Sequence, residues 1–581
     1  MAKNGFSVLI LAAGKATRFK SEHSKVLHRL AGRPLGAYVL ETARAAGPER
    51  IYMVVGHEAE EVRAAFGSTE VTFIEQREQL GTGHALKVAS GELRHCPSST
   101  LVVLVGDAPL LKAATVRGLV EAQQKARAAA TVLTAQLEDP RGYGRIVRGA
   151  GGRVRAIVEE KVCTPAQRKI REINSGIICF SLPHLLKHVE KLSADNAQEE
   201  FLLTDLIGIF NRQKLKVTAF SSAEAREVLG VNDRGELAQL EKVLRRRIAE
   251  TLMREGVTIV DPETTSIDAT VTVGRDTVIE PGVSLSGATR IGQGCTLKSH
   301  SVLSDAILHD RVTIRPFSVI SSCEIASDAV IGPFAHLRDG AMIDEEARIG
   351  NFVEVKKTRV GRGAKALHLT YLGDAILGEK VNVGAGTVTC NYDGERKNPT
   401  TIEEGVFIGS GSMLVAPLRI GRHSYIAAGS TITEDVPPEA LALGRARQIN
   451  KEGWTRQQEA VKPTVTVAVR GSGEITVFEI SGRLTLGDPV TELNEEIRPM
   501  IDAGRRKIVL NLPNLVYVDS AGMGALVGIL KAVREVGGML RLSGLTTKVR
   551  VLLETAALDR VFEIYPDEAS ALLSFEPPAA G

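Results

Sequence analysis

From residue 256 onward the sequence places an aliphatic side chain at every sixth position. Ile267, Val273, Ile279, Leu285, Ile291, Leu297 and Leu303 keep that spacing. After a phase shift it resumes at Val319, Ile325, Ile331, Leu337, Ile343, Ile349 and Val355, and again at Ile402, Ile408, Leu414, Ile420, Ile426 and Ile432. A helix repeats about every 3.6 residues and a half-buried strand about every 2, so neither explains a period of six. A hexapeptide β-helix does: each short strand points one aliphatic inward and the residues between turn a corner. Such coils need slim inward side chains and permissive corners. The composition agrees, with 56 glycines and 4% aromatic against 44% hydrophobic residues. Gly274, Gly292, Gly332, Gly350, Gly361, Gly409 and Gly421 directly follow an aliphatic. The expectation is a coil with glycine corners and few rings.

The 581 residues allow roughly two to five domains. Residues 1–234 alternate short Val/Ile-rich runs (SVLILA, RIYMVVG, VTFIE, TLVVLVGD) with helical patterns such as LGAYVLETARAAG. That is the signature of βα units and a mostly parallel, Rossmann-like α/β sheet. Residues 235–255 form one amphipathic linker helix, with Leu237, Leu240, Leu244, Ile248 and Leu252 on one stripe and Gly256 as its stop. Its Arg245-Arg246-Arg247 run reads as a solvated face. The hexads fill 256–460, ending near Val436-Pro437-Pro438 with the only tryptophan shortly after. A further α/β unit spans 463–575.

Lys+Arg 72 against Asp+Glu 69 gives no support for a nucleic-acid footprint or a membrane surface. Cys96, Cys163, Cys179, Cys295, Cys323 and Cys390 contain no C-x-x-C pair and read as reduced thiols of a cytoplasmic protein. The apolar run before Gly14 is too short for a membrane span and lacks a cleavage region.

Four segments carry chemistry. LILAAGKATR runs a strand into a glycine turn with Lys15 and Arg18 beyond it, which suits a phosphate, although it is neither G-x-G-x-x-G nor a Walker A loop. Lys25 follows in HSKVLHRLAG. Asp107 ends the apolar strand LVVLVGDAPL, where open α/β sheets bind ligands, and a lone carboxylate there is a natural Mg²⁺ ligand or the start of a turn before Pro109. In the repeats, His368 interrupts the hexad phase, and Arg338, Lys356, Tyr371 and Asn382 fall on successive coils. Cations suit a sugar phosphate, and a neutral imidazole suits proton removal from an amine attacking a thioester.

LAAGKATR, SKVLHRLAGRPL, EQREQLGTGHA, GDAPLL, GYGRIVR, IVEEK, EINSGI and EVLGVNDR occur in the order and spacing of sugar-nucleotide pyrophosphorylases. With GPFAHLRDGA, GNFVEVKKT, LHLTYLGDA, NVGAGTVTCNYDG, VFIGSGS, AAGST and KEGW, residues 1–460 resemble the bifunctional N-acetylglucosamine-1-phosphate uridyltransferase/glucosamine-1-phosphate acetyltransferase family. The resemblance implies a left-handed β-helix, trimeric assembly, acetyl-CoA as acetyl donor to glucosamine 1-phosphate, and Mg²⁺-dependent attack of N-acetylglucosamine 1-phosphate on UTP. Carried over by position, it implies that Leu11, Ala12, Ala13, Gly14, Lys25, Gln76, Gly81 and Thr82 hold the uridine nucleotide, with Arg18 and Lys25 supporting catalysis. Gly144, Glu159 and Asn174 would face the sugar, and Asp107 with Asn232 would bind Mg²⁺. It likewise implies His368 as the base, oriented by Glu354. Arg338, Lys356, Tyr371 and Asn382 would bind the sugar phosphate; Asn391 and Tyr392 would shape its pocket and adjoin the acetyl-CoA site of Ala385, Ser410, Ala428 and Arg445. Ala16 replaces the usual signature glycine, Val105 stands where relatives often carry tyrosine, and the GSGS at 409–412 differs from the usual acidic variant.

The C-terminal stretch around LVYVDSAGMGALVGIL resembles a STAS domain of the anti-sigma-factor antagonist type. The resemblance implies a serine kinase or anti-sigma-type partner and phosphorylation at Ser520; the plain alternative is that Asp519-Ser520 merely caps a helix. Two other readings stand beside the bifunctional one: a uridyltransferase whose β-helix only assembles the oligomer, and a signalling protein with a vestigial enzyme portion.

Overall fold

A computed structural model describes residues 5–14, 17–67, 69–196, 199–455 and 464–576. The chain divides into two compact units, Met1–Ala446 and Arg447–Gly581. The first opens with a mainly parallel sheet centred on Phe6–Leu11, flanked by Thr100–Val105 on one side and by Ile51–Val55 and Val71–Glu75 on the other. Strand Glu172–Ser181 runs antiparallel to Thr100–Val105 and Ala130–Gln136, and the short strands Arg145–Arg148 and Val154–Val158 add an antiparallel pair beside it. The central strands bury both faces, as their unbroken apolar runs require. Their carboxyl ends deliver Leu11–Gly14 and Val105–Asp107 to one edge.

The linker helix Arg234–Arg254 starts at an Asp233 cap, whose side chain accepts from the Glu236 N–H. Its first half, through Leu240, packs with Phe19, Leu30, Leu35, Tyr38, Leu110 and Val231. Its second half, through Ala249 and Leu252, joins the β-helix core beside Val257 and Ile259. One helix therefore belongs to two cores, so the sheet and the coils cluster as one unit. The three arginines are engaged: Arg245 pairs with Glu241, Arg246 with Glu250 and Glu263, and Arg247 with Glu224.

The hexads form a parallel β-helix. Aliphatics stack in columns, as in Ile279–Leu297–Ile314–Ile331–Ile349 and Val273–Ile291–Leu308–Ile325–Ile343–Val360. The sequence pattern misplaces one member. Ile320, not Val319, fills the column between Leu303 and Leu337; Ile320 is fully buried while Val319 is 42% exposed. The apparent break after Leu303 is no interruption either, because Leu308 and Ile314 carry the core across it with one step of five residues.

The glycines that follow the aliphatics serve closeness more than turning. A Cβ on Gly361 would lie 2.6 Å from the Gly378 backbone, and one on Gly384 would lie 2.5 Å from Ser410 N. Many corners are instead held by side-chain-bearing residues at positive φ, which is uncommon for bulky types. His300, Phe317, Phe334, Phe352 and Leu369 form one such corner column. The rings of the first four stack at 5.2 Å centroid spacing and face outward. Ring stacking of about 0.5–1.5 kcal/mol per pair offsets a left-handed backbone cost of similar size. The few rings of the coils thus stand outside, which leaves the interior to slim aliphatics.

The second unit contains a five-stranded sheet in the order Val465–Ser472, Ile475–Leu484, Lys507–Val518, Met539–Ser543, Glu563–Tyr565, antiparallel in its first pair and parallel thereafter. The helices Asp488–Asp502 and Ser520–Glu535 bury Leu493, Ile497, Leu526 and Ile529 in its core. Among the described residues no helix is long and apolar enough to cross a membrane.

Candidate active sites

At the carboxyl edge of the first sheet lies a cleft of about 450 Å³ lined by Leu11, Ala12, Ala13, Gly14, Lys25, Gln76, Gly81, Thr82, Val105 and Asp107, together with Gln79 and Glu200. Leu11–Gly14, Lys25, Gln76, Gly81 and Thr82, the nucleotide residues implied by the resemblance, therefore converge on one cavity, while Lys15 and Ala16 of the same glycine turn lie outside the described residues. Local chemistry explains their placement. Gln76 is buried; its Nε2 donates to Gly81 O at 3.2 Å and lies 3.0 Å from His84 Nδ1, which fixes the loop before the helix Thr82–Leu93. Gly81 adopts φ +109° against the Phe201 backbone, a place no Cβ fits. Helix Thr82–Leu93 thus begins at the cleft, with the Gly83 N–H already donating to Phe201 O at 2.7 Å, so it is the positive end of the helix dipole that favours an anion there.

Lys25 Nζ makes an ion pair with Asp107 and lies 3.3 Å from Asn232 Oδ1. Residues distant in sequence thus bring a carboxylate and a carboxamide oxygen around one cation. Two hard oxygen donors around one positive charge suit a Mg²⁺ that takes its other ligands from phosphates and water, so the residues present fit that ion. Arg18 is exposed on the turn Thr17–Phe19 and makes no ion pair with any described residue.

Beside the cleft, Gly144, Glu159 and Asn174 come together. The Asn174 N–H donates to Gly144 O at 2.8 Å, and a Cβ on Gly144 would lie 3.4 Å from a Glu159 carboxylate oxygen. Burial raises the Glu159 carboxyl above its ordinary range, opposed by a 3.2 Å bond from Thr204 Oγ1. Val105 lies against Gly176, between this corner and the nucleotide cleft.

The second constellation sits on the strands Arg348–Lys356 and Lys365–Gly373, in register on adjacent coils. Arg338 lies directly across from Lys356, and Glu354 across from Tyr371. Arg338 donates to Glu354 Oε1 at 2.8 Å and to Asp339 at 2.8 Å. Glu354, expected to orient His368, is thus engaged by Arg338; the ring's partner is Asn351 Oδ1, 2.7 Å from Nδ1. A Cβ on Gly373 would lie 2.7 Å from Asn391 Nδ2 and would collide with the Tyr371 hydroxyl, so these side chains share one corner. Asn391 Nδ2 donates to Asp374 at 2.5 Å. Tyr392 is exposed, its hydroxyl donating to Gly394 O at 2.6 Å. Asn382 lies across from Lys365, on the far side of His368 from Tyr371. Lys397, not singled out by the sequence, has its pKa lowered by the Lys356 ammonium. Two cations facing each other make a place for an anion.

Ala385, Ser410 and Ala428 follow one another on successive coils, with the Ser410 backbone against Gly384 and the Ala428 backbone against Gly409, forming a column of small residues. Arg445 is exposed beyond the last strand, Leu441–Ala442. In the second unit Ser520 is exposed at the first turn of its helix. The Asp519 carboxylate accepts from the Gly522 and Leu486 N–H groups at 2.8 and 2.9 Å, which holds it below the ordinary carboxylate range.

Three family models match: a MobA-like NTP transferase domain over residues 8–205, bacterial transferase hexapeptide repeats over 399–434 and a STAS domain over 466–571. Among curated proteins the chain is 49% identical over 449 residues to the bifunctional protein GlmU of Trichlorobacter lovleyi, covering 97% of that protein and 77% of this one. It is 50% identical over 470 residues to the GlmU of Geobacter metallireducens, covering 98% and 78%. It is 51% identical over 458 residues to that of an Anaeromyxobacter species, covering 93% and 78%. More than a fifth of this chain thus has no counterpart in those alignments.

Proposed function

The chain belongs to the bifunctional GlmU family, and from that premise we propose how its residues divide the two activities between them. It is a bifunctional enzyme of UDP-N-acetylglucosamine synthesis with an appended STAS domain. It acetylates glucosamine 1-phosphate and then transfers a uridylyl group from UTP to the product, releasing pyrophosphate.

For uridylyl transfer, the observation that carries the assignment is the convergence of Lys25, Asp107 and Asn232 on one cleft edge. Leu11–Gly14, Gln76, Gly81 and Thr82 cradle the nucleotide, and the start of helix Thr82–Leu93 and Arg18 face its phosphates. Gly144, Glu159 and Asn174 hold the sugar so that its phosphate oxygen is in line with the α-phosphorus. Phosphoryl transfer needs such positioning and charge neutralisation more than covalent help. Mg²⁺ held by Asp107 and Asn232 would supply further neutralisation of the phosphates. Lys25 then turns from Asp107 to the triphosphate.

For acetyl transfer, Arg338, Lys356 and Lys397 neutralise the sugar phosphate, with Tyr371 and Asn382 beside it. His368 takes the proton from the attacking amine. The small column Ala385, Ser410 and Ala428 leaves room for the acetyl-CoA arm, with Asn391, Tyr392 and Arg445 beside it. The exposed column Phe317, Phe334, Phe352 and Leu369 is the contact between copies in a homotrimer. Six unpaired thiols suit the cytoplasm. The STAS domain docks a partner, and phosphate on exposed Ser520, carrying about −1.5 to −2 charges, would switch that docking. Phosphopeptide analysis of native protein that never finds Ser520 modified would remove the switch.

The test supplies purified protein with glucosamine 1-phosphate, acetyl-CoA, UTP and Mg²⁺ and follows free thiol and pyrophosphate. Both products are expected. His368→Ala should abolish thiol release while preserving pyrophosphate release from N-acetylglucosamine 1-phosphate; equal loss of both would contradict two separate sites.

A further inference from the structure

The strand pair that carries His368 supplies one more assignment, which rests on the acetyl-transfer reading above. Asn351 and His368 are directly opposed on adjacent coils, and Asn351 Oδ1 lies 2.7 Å from His368 Nδ1. A carboxamide oxygen can only accept, so the ring proton sits on Nδ1 and the lone pair on Nε2. No other described residue hydrogen-bonds the imidazole. Glu354, the acidic residue that the resemblance implies for this role, is taken by Arg338 at 2.7–2.8 Å, and Asp374 by Asn391. Both residues sit on nine-residue strands, which fix their backbones better than the two- and three-residue strands elsewhere in the coil.

We propose that Asn351 is the positioning residue of the acetyl-transfer base. It selects the Nδ1–H tautomer, turns Nε2 toward the substrate amine, and steadies the imidazolium as it forms. In the reaction the amine lone pair attacks the thioester carbonyl carbon and one N–H proton passes to Nε2. The tetrahedral intermediate then collapses, the C–S bond breaks, and the leaving thiolate takes that proton from Nε2, returning a neutral ring. Through both steps Nδ1–H stays on Asn351, and its bond strengthens while the ring is charged.

Asn351→Ala and the near-isosteric Asn351→Asp are assayed in the full chain for acetyl transfer across pH, with uridylyl transfer as control. The charged groups on the facing coils, Arg338, Asp339, Glu354, Lys356 and Lys365, are unchanged in both variants. Alanine should lower kcat about 10²-fold with KM within about threefold. The acidic limb should move to lower pH, because the ring loses the acceptor that favours its charged form. Aspartate should keep most of kcat and move the limb to higher pH, because a carboxylate holds the proton more tightly. A wild-type kcat in the alanine variant, or limbs that stay put or move in the same direction, would overturn the assignment. Retained acetyl transfer in His368→Ala would instead overturn the reading of His368 as base, so the two failures are distinguishable.

Discussion

Replacing Ile320 with alanine should destabilise the β-helix far more than the same change at Val319, its immediate neighbour. Ile320 is fully buried between Leu303 and Leu337, whereas Val319 is 42% exposed on the outer face. Removing three buried carbons loses roughly 2.4 kcal/mol of transfer free energy at about 0.8 kcal/mol per carbon. A cavity term adds to that, because the coils on either side are tied by Val302 N–H to Ser318 O and Val319 N–H to Ala335 O, each 2.9 Å, and cannot close in. The total is about 3–4 kcal/mol. Val319→Ala removes two half-exposed carbons and should cost under about 1 kcal/mol. Urea midpoints of the two variants, read by far-ultraviolet circular dichroism and by loss of acetyl transfer, give the comparison. Equal costs, or a larger cost at Val319, would refute the five-residue step after Leu303 and the column derived from it.

Lys25→Met should lower uridylyl transfer by at least about 10²-fold and leave acetyl transfer unchanged, measured as pyrophosphate and thiol in parallel. Gly361→Ala should cost about 1–3 kcal/mol, since its Cβ meets the Gly378 backbone at 2.6 Å. Gly363→Ala, where φ is +66° but nothing lies nearer than Lys380 Cγ at 3.9 Å, should cost only about 1 kcal/mol; thermal unfolding of the pair separates closeness from turning. Burial raises the Glu159 pKa, so the folded state keeps a proton that the unfolded chain has lost. Its contribution to stability is therefore present at low pH and falls as pH rises from the ordinary carboxylate range through the raised value. Glu159→Gln should flatten that fall, as read from urea midpoints between about pH 4 and about pH 7.

The cleft of the first sheet was legible because its motifs are local. LAAGK, GDAPLL and GTGHA each end a strand or start a helix, and parallel strands bring such ends to one edge by topology alone. The coil was legible for a different reason: period six has one structural meaning. What the period could not decide was which of two adjacent aliphatics in SVIS points inward, because coils shorten by one residue at a corner and the phase then depends on where. The pairing of Asn351 with His368 was hidden for the same reason. Asn351 and His368 are seventeen residues apart, and the choice between Asn351 and Glu354 rests on register. The outward ladder did leave a trace, in aromatic rings at 300, 317, 334 and 352. Lys397 left none, since its loop folds back on Lys356 only in three dimensions.

The sharing of one helix by two cores makes the stack of coils a zipper locked at one end. Ala249 and Leu252 close the first coil, whereas the last strand, Leu441–Ala442, pairs with a single neighbour and leaves Leu441 60% exposed. In a linear array each turn is held only by those beside it, so fraying starts at the open end and travels inward. Ser410 and Ala428 lie on those terminal turns. A co-substrate seated there would clasp the zipper shut, so the enzyme's stiffness at that end would rise and fall with the supply of its acetyl donor.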